Sequence, residues 1–325
     1  MQAVLGLDVA RLTVEACLLQ EPEPSALRTF PNTSSGFGEL QDWLTAQGLS
    51  QVHACLEATG RYGQPLAHFL YTQGHQVSVV NPAQIHYYAR SQLRRAKTDK
   101  LDAALIAHFC AHQRPRLWEP VSETLRHLQA LTRYLAQLKQ TRLRQQNRLA
   151  AEMPLAEASP VREHLQAHVS FLEQQIHQVE AQIAFLLEQE ASLAESAALL
   201  MSIPGIGPIT AATLLAERIE AFSNVRQVVA YAGLAPWVHQ SGQSIRRGGR
   251  VCKLGNRRLR QALYWPAVVA MRHNPLIRAF AHRLLKRGKP KQVVIVASMR
   301  KLLCLAFGVL KHRQPFDAAY RPQVG

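Results

Sequence analysis

Acidic residues all but vanish from the C-terminal part of this chain: between positions 201 and 325 only Glu217, Glu220 and Asp317 stand against 21 Lys and Arg. Charge kept merely for solubility would be spread along the chain, so this imbalance points to a polyanionic partner. Cysteine is scarce too. Cys17, Cys55, Cys110, Cys252 and Cys304 are odd in number, widely spaced and free of any C-x-x-C pair, which excludes a disulfide framework and a zinc site and fits a reducing cytoplasm. Uninterrupted apolar runs are also missing. Arg300 and Lys301 break the stretch from Val293 to Leu310, and the opening Met1-Gln2-Ala3-Val4-Leu5-Gly6 has no basic segment, so neither a membrane span nor an export signal is expected. The expected location is cytoplasmic, beside the nucleoid, with no membrane partner.

What is present is a chain of 325 residues, 47% hydrophobic, with a net charge of +16 and a pI near 10.1. That is enough for two or three domains with sizeable cores. The charge comes in blocks: 3 basic against 7 acidic residues over 1–89, 13 against 4 over 90–150, 1 against 8 over 151–200, and 21 against 3 beyond. The last block should face phosphates.

The first hundred residues alternate short β-rich runs with helical stretches. Strands are predicted at Val4 to Val9, Thr13 to Leu19, Leu27 to Phe30, Val52 to Leu56 and Val77 to Val80, with helices at Phe37 to Ala46, Gln64 to Tyr71 and Thr98 to His112. The order βββαβαβα implies a mixed sheet covered by helices, with functional residues at strand ends and helix starts. From Glu123 long helices take over. Leu165, Val169, Leu172, Ile176, Val179, Ile183 and Leu186 repeat with spacing 4, 3, 4, 3, 4, 3. The acidic exterior of that helix (Glu163, Glu173, Glu180, Glu188, Glu190) suits the basic helix before it (Arg133, Lys139, Arg142, Arg144, Arg148), either as an antiparallel hairpin or as an intermolecular coiled coil. Beyond 200 the pattern is helical with glycine-rich loops.

Four carboxylates draw attention. Asp8 lies inside the first strand between apolar neighbours, Glu57 ends the fourth, and Asp99 and Asp102 share one face at the start of a helix. Buried strands rarely hold unpaired acids, and four acids at one point tolerate each other only around divalent cations, here Mg²⁺, which suit phosphodiester chemistry. Thr98-Asp99-Lys100-Leu101-Asp102 also reads as an N-cap with first-turn acids complementing a helix dipole. Ile203-Pro204-Gly205-Ile206-Gly207 before Thr210 to Leu215 looks like a helix-hairpin-helix element whose Gly205 and Gly207 expose N–H groups to phosphate, or an ordinary helix–helix turn. Ser241-Gly242-Gln243-Ser244 stands before Arg246, Arg247 and Arg250. Guanidinium groups there could stabilise a pentacoordinate phosphorus, although a loop Ser-Gly is commonly just a turn. Lys253, Arg257, Arg258 and Arg260, followed by Lys286, Arg287, Lys289 and Lys291, read as a phosphate-contact surface or a solvated face.

Taken in order, Gly6-Leu7-Asp8-Val9, Leu56-Glu57-Ala58-Thr59-Gly60, Lys97-Thr98-Asp99-Lys100-Leu101-Asp102-Ala103, Ile203-Pro204-Gly205-Ile206-Gly207, Tyr231-Ala232-Gly233-Leu234-Ala235-Pro236 and Ser241-Gly242 resemble the insertion-sequence one-ten transposases. The resemblance covers essentially the whole chain. It implies an α/β plus all-α protein: an RNase H-like (RuvC-like) DEDD domain at 1–115, a helical coiled-coil segment at 116–198 and a basic, mainly helical transposase domain at 199–325 with a helix-hairpin-helix element. It implies that Asp8, Glu57, Asp99 and Asp102 bind Mg²⁺ and that Ser241 forms a covalent phosphoserine link to DNA. It further implies donor and target DNA as partners, a noncoding bridge RNA that pairs with both, and a homo-oligomer, dimer or tetramer. Beyond His239 no obvious base serves Ser241, so activation through the metal site is expected. Two readings compete: a metal-dependent, structure-specific endonuclease of junction-resolvase type without a serine adduct, and a non-catalytic nucleic-acid-binding protein.

Overall fold

A computed structural model describes residues 3–20, 26–58, 62–92, 99–152, 160–241, 245–251 and 255–319, with backbone alone at 99–100, 236–241 and 245–251. They fall into two compact units, Met1–Val121 and Ser122–Gly325.

The first unit holds β1 (Val4–Val9), β2 (Thr13–Leu19), β3 (Ala26–Pro31), α1 (Ser34–Ala46), β4 (His53–Glu57), α2 (Gln64–Thr72), β5 (Gln76–Val80), α3 (Pro82–Ser91) and α4 (Asp99–Gln113). Its sheet has the order β3-β2-β1-β4-β5. The first three strands run antiparallel, and β4 and β5 run parallel to β1. Alternation along β1 sorts its side chains. Leu5, Leu7 and Val9 join Leu40 and Leu44 of α1 and Leu66 and Leu70 of α2 in one core. Val4, with Cys17 and Cys55, meets Ile85 of α3 and Ala103, Ile106, Ala107 and Cys110 of α4 on the other face. A strand covered on both faces explains the near-continuous apolar run that announced it. Full burial of each large side chain contributes about 1.5–3 kcal/mol. Helix α3 is absent from the sequence-based expectation, although Asn81 accepts from the Ala83 N–H and Pro82 sits at the first helical position, a standard helix-start signature.

The second unit begins with α5 (Glu123–Glu152) and α6 (Pro160–Gln189), which pair within the chain as an antiparallel hairpin. Lys139 Nζ reaches Glu180 Oε1 at 2.7 Å and Arg142 Nη1 reaches Glu173 Oε1 at 3.9 Å. Both pairs are partly exposed and fix register more than they stabilise. Then come α7 (Ala191–Met201), α8 (Pro208–Ala216), a 3-10 turn (Ile219–Ala221), α9 (Val225–Tyr231), β6 (Pro236–Ser241), β7 (Ile245–Val251), α10 (Arg257–His273), α11 (Pro275–Lys286) and α12 (Lys291–His312). The expected glycine-rich loop before α10 is thus partly a two-stranded antiparallel ribbon. By length and composition α12 could cross a membrane, yet half of its apolar window is buried in this unit. Val294, Leu302, Leu303, Ala306 and Leu310 belong to the same core as Leu263 and Ala267 of α10.

Candidate active site

Asp8 is next to last in β1 and Glu57 is last in β4, on adjacent parallel strands. Gly6 registers with Cys55 and Leu7 with Leu56, so the next residue on each strand is one of the two acids, about 4.8 Å apart between backbones. Both are half-buried. Asp8 lies two residues beyond Gly6, and Glu57 two beyond Cys55, which places both acids on the sheet face covered by α4. Gly6 makes that cover close. A Cβ there would come within 2.2 Å of the Ala103 carbonyl oxygen and 2.7 Å of Ala107 Cβ, so only glycine lets the first turns of α4 lie on β1. Asp99 opens that helix and Asp102, half-buried, follows one turn later.

The register also brings a carboxylate that the sequence reading missed. Glu15 of β2 stands directly opposite Asp8, on the same face, and accepts from Thr29 Oγ1 at 2.8 and 2.9 Å. The three-residue gap Ala10-Arg11-Leu12 between two β-rich runs, which marks a hairpin, was the available signal. Among the described residues no three His, Cys, Asp or Glu side chains group tightly enough to hold an ion; the side chain of Asp99 lies outside that description. All the acids here are hard oxygen donors, the set that a divalent cation of the Mg²⁺ type accepts.

In the second unit the ribbon β6–β7 carries Ser241 at its far end, registered with Ile245. Arg246, Arg247 and Arg250 register with Gln240, His239 and Trp237. Gly242, Ser244 and Lys253 lie outside the described residues. The base of the ribbon is anchored by Glu217, whose side chain is only 6% exposed. Its carboxylate accepts from Asn256 Nδ2 at 2.6 Å, the Tyr231 hydroxyl at 3.1 Å and Arg258 Nε at 2.6 Å. Burial, then the Glu217 charge, pushes the Tyr231 hydroxyl above its ordinary range. Asn256 also donates its backbone N–H to Tyr231 O at 2.6 Å and caps α10. Gly255 passes so near Gly233 that a Cβ would fall 2.1 Å from the Gly233 nitrogen. Residues before β6 and after β7 are thereby clasped together, which explains Gly255 as a packing requirement, while Gly233 takes a left-handed backbone at φ +68°.

The expected phosphate contacts separate into two groups. Arg258 pairs with Glu217, and Arg260 Nη1 donates to Ala232 O at 2.9 Å, so both hold the clasp; Arg257 is exposed at the start of α10. Gly205 has φ +108°, and a Cβ there would meet Ala270 Cβ at 2.8 Å and Pro266 O at 2.9 Å, so the turn between α7 and α8 is pressed onto α10. Gly207 caps α8 with open space beside it.

Residues 5–156 match the DEDD family described as "Transposase", and residues 197–282 match the "Transposase IS116/IS110/IS902 family". The chain is 36% identical over 318 residues to the pilin gene-inverting protein of Moraxella bovis, covering 96% of this chain and 97% of that protein. It is 32% identical over 301 residues to putative transposase y4rJ of Sinorhizobium fredii, covering 76% and 74% respectively. Among solved structures, RuvC of T. thermophilus in complex with a Holliday junction substrate is similar at a TM-score of 0.25 and 12% identity, over 35% of this chain and 96% of RuvC.

Proposed function

This chain belongs to the IS116/IS110/IS902 family of transposases and is a DNA recombinase, and on that premise we propose that it cuts and rejoins strands through a covalent phosphoserine at Ser241. The metal-dependent half of the reading rests on one observation above all: Asp8, next to last in β1, and Glu57, last in β4, stand on adjacent strands on the face that α4 covers, and α4 opens with Asp99 and Asp102. The serine half is supported by Ser241 ending a ribbon strand whose partner carries Arg246, Arg247 and Arg250. Strand order with three antiparallel and two parallel members supports assigning this unit to the RNase H-like class.

Asp8, Glu57, Asp99 and Asp102 would hold the divalent ion, proposed to be Mg²⁺. When bound, it supplies positive charge to a phosphodiester oxygen and lowers the pKa of an attacking hydroxyl. Ser241 Oγ attacks phosphorus, the bond to the deoxyribose oxygen breaks, and that oxygen leaves as a hydroxyl carrying the serine proton. The phosphoserine is itself a phosphodiester, so attack by a new strand's hydroxyl reverses the exchange at little cost in bond energy. Arg246, Arg247 and Arg250 stabilise charge on the pentacoordinate phosphorus. Arg257, Gly207 and Lys253 contact backbone phosphates, with Arg258, Arg260 and Gly205 positioning them.

Three regions divide the work: a carboxylate domain at 1–115, a helical segment at 116–198 that mediates assembly into a dimer or tetramer, and a serine-bearing domain at 199–325. A bridge RNA supplies sequence choice by pairing with donor and target DNA. Inversion of a DNA segment, the action named for the Moraxella bovis relative, is one outcome such chemistry allows.

The test is to incubate the protein with its flanking RNA, Mg²⁺ and labelled element-junction and target DNA, and to run denaturing gels. A protease-sensitive adduct is expected, lost in Ser241→Ala and in Asp8→Asn. Cleavage without adduct, equal in Ser241→Ala, would establish a metal nuclease instead.

A further inference from the structure

The outer face of α10 carries two aromatic rings that no core uses. Trp265 is 70% exposed and Tyr264 40%, with centroids 5.4 Å apart and planes at 89°. The inner face of the same helix is fixed, because Leu259, Leu263, Ala267 and Ala270 are fully buried and Gly205 packs against Pro266 and Ala270. The rings therefore stand on a rigid support and cannot turn inward. Arg257 lies seven residues before Tyr264 and Arg272 seven after Trp265. Seven residues are two turns, so each cation shares the face of its nearer ring. Both arginines are exposed, and neither has a carboxylate partner among the described residues, in contrast to Arg258.

Two exposed ring faces at right angles to each other, bracketed by unneutralised guanidinium groups, fit a strand of nucleic acid with its bases out of the stack: each ring meets its own base face, and cations meet flanking phosphates. An intact duplex offers only base edges in its grooves, so an exposed indole finds no stacking partner there. A protein partner with an apolar patch would leave the two arginines beside uncharged surface. We infer that Tyr264 and Trp265, with Arg257 and Arg272, form a stacking platform for the unpaired DNA bases exposed during strand exchange. The choice of DNA over RNA rests on the recombinase reading; the binding site itself does not.

The experiment is fluorescence anisotropy of the full chain with a labelled oligothymidylate, a mixed-sequence duplex and an oligouridylate. EDTA is present, so cutting at Ser241 plays no part, and the outcome is independent of the adduct test. Tyr264→Ala with Trp265→Ala should weaken oligothymidylate binding about tenfold or more, with duplex binding within about twofold. Trp265→Phe should retain most of the affinity. Trp265→Lys, which adds a cation at the same exposed position, should still weaken it. The aromatic variants should keep the slope of log affinity against log salt, whereas Arg257→Gln with Arg272→Gln should lower it by about 1.4. Unchanged oligothymidylate binding in the double alanine variant, or equal loss on duplex, would overturn the platform. An aromatic dependence confined to oligouridylate would overturn its assignment to DNA.

Discussion

Single residues decide how close α4, which opens with Asp99 and Asp102, lies to the strands that carry Asp8 and Glu57. Gly6 lets α4 touch β1, and any Cβ there would lift the helix that carries Asp99 and Asp102. His75 shows how a residue remote from these acids sets stability. It is buried, accepts from the Val52 N–H through Nδ1 at 3.3 Å, and is 2.8 Å from Gln41 Oε1 through Nε2. A ring that both accepts from an N–H and donates to an amide oxygen is neutral, and burial holds its pKa below the ordinary 6.5. The unfolded chain therefore binds more protons as pH falls, so stability is full above about 6.5 and is lost as pH drops through the folded value. Urea unfolding followed by far-UV circular dichroism between pH 5 and 8 should show this decline. Its steepness should be smaller in His75→Asn, by at most about 1.4 kcal/mol per pH unit. Equal steepness in both proteins would remove His75 from the account.

At the scale of elements, the long helix α6 departs from its own sequence repeat. Val169, Leu172, Ile176, Val179 and Ile183 are buried as the seven-residue pattern requires, but the last buried position is Leu187 and not Leu186. A straight α-helix drifts about 20° per heptad against a strict repeat, and by the end of α6 the drift has handed the seam to the next leucine. Leu187→Ala should thus cost about 2–4 kcal/mol and Leu186→Ala about 1 kcal/mol or less, read as the difference in thermal midpoint; the reverse order would restore the strict seam. The ribbon β6–β7 escaped the sequence reading for a different reason. Gly248 and Gly249 are poor strand formers, the clustered arginines leave no apolar alternation to read, and the pairing is supported from outside by the Glu217 clasp. Helix α3 was legible in Asn81-Pro82 but is amphipathic over too few residues to show periodicity; within it only Ile85 is fully buried.

For the molecule as a whole, charge follows the division into units. Met1–Val121 contains 10 basic and 10 acidic residues, and Ser122–Gly325 contains 28 and 12, so the second unit carries the entire net charge of +16. Duplex binding should therefore lose about three units of log–log salt slope when the exposed Arg278, Lys286 and Arg287 are changed to Gln. The same slope should stay unchanged when the exposed Arg11, Arg28 and Arg90 of the first unit are changed to Gln. A slope that responds equally to both sets would mean that the second unit is not the main phosphate surface.

The sequence by itself determined the polyanionic partner, the mixed sheet, the long helices and the family, because charge density, alternation and ordered motifs are local or additive properties of the chain. Tertiary structure decided which residues meet. Close packing reserved Gly205 and Gly255 for backbone contact, ion pairing drew Arg258 into the clasp, and the buried inner face of α10 left Trp265 in solvent. Such outcomes depend on contacts between residues distant in sequence, which no local pattern encodes.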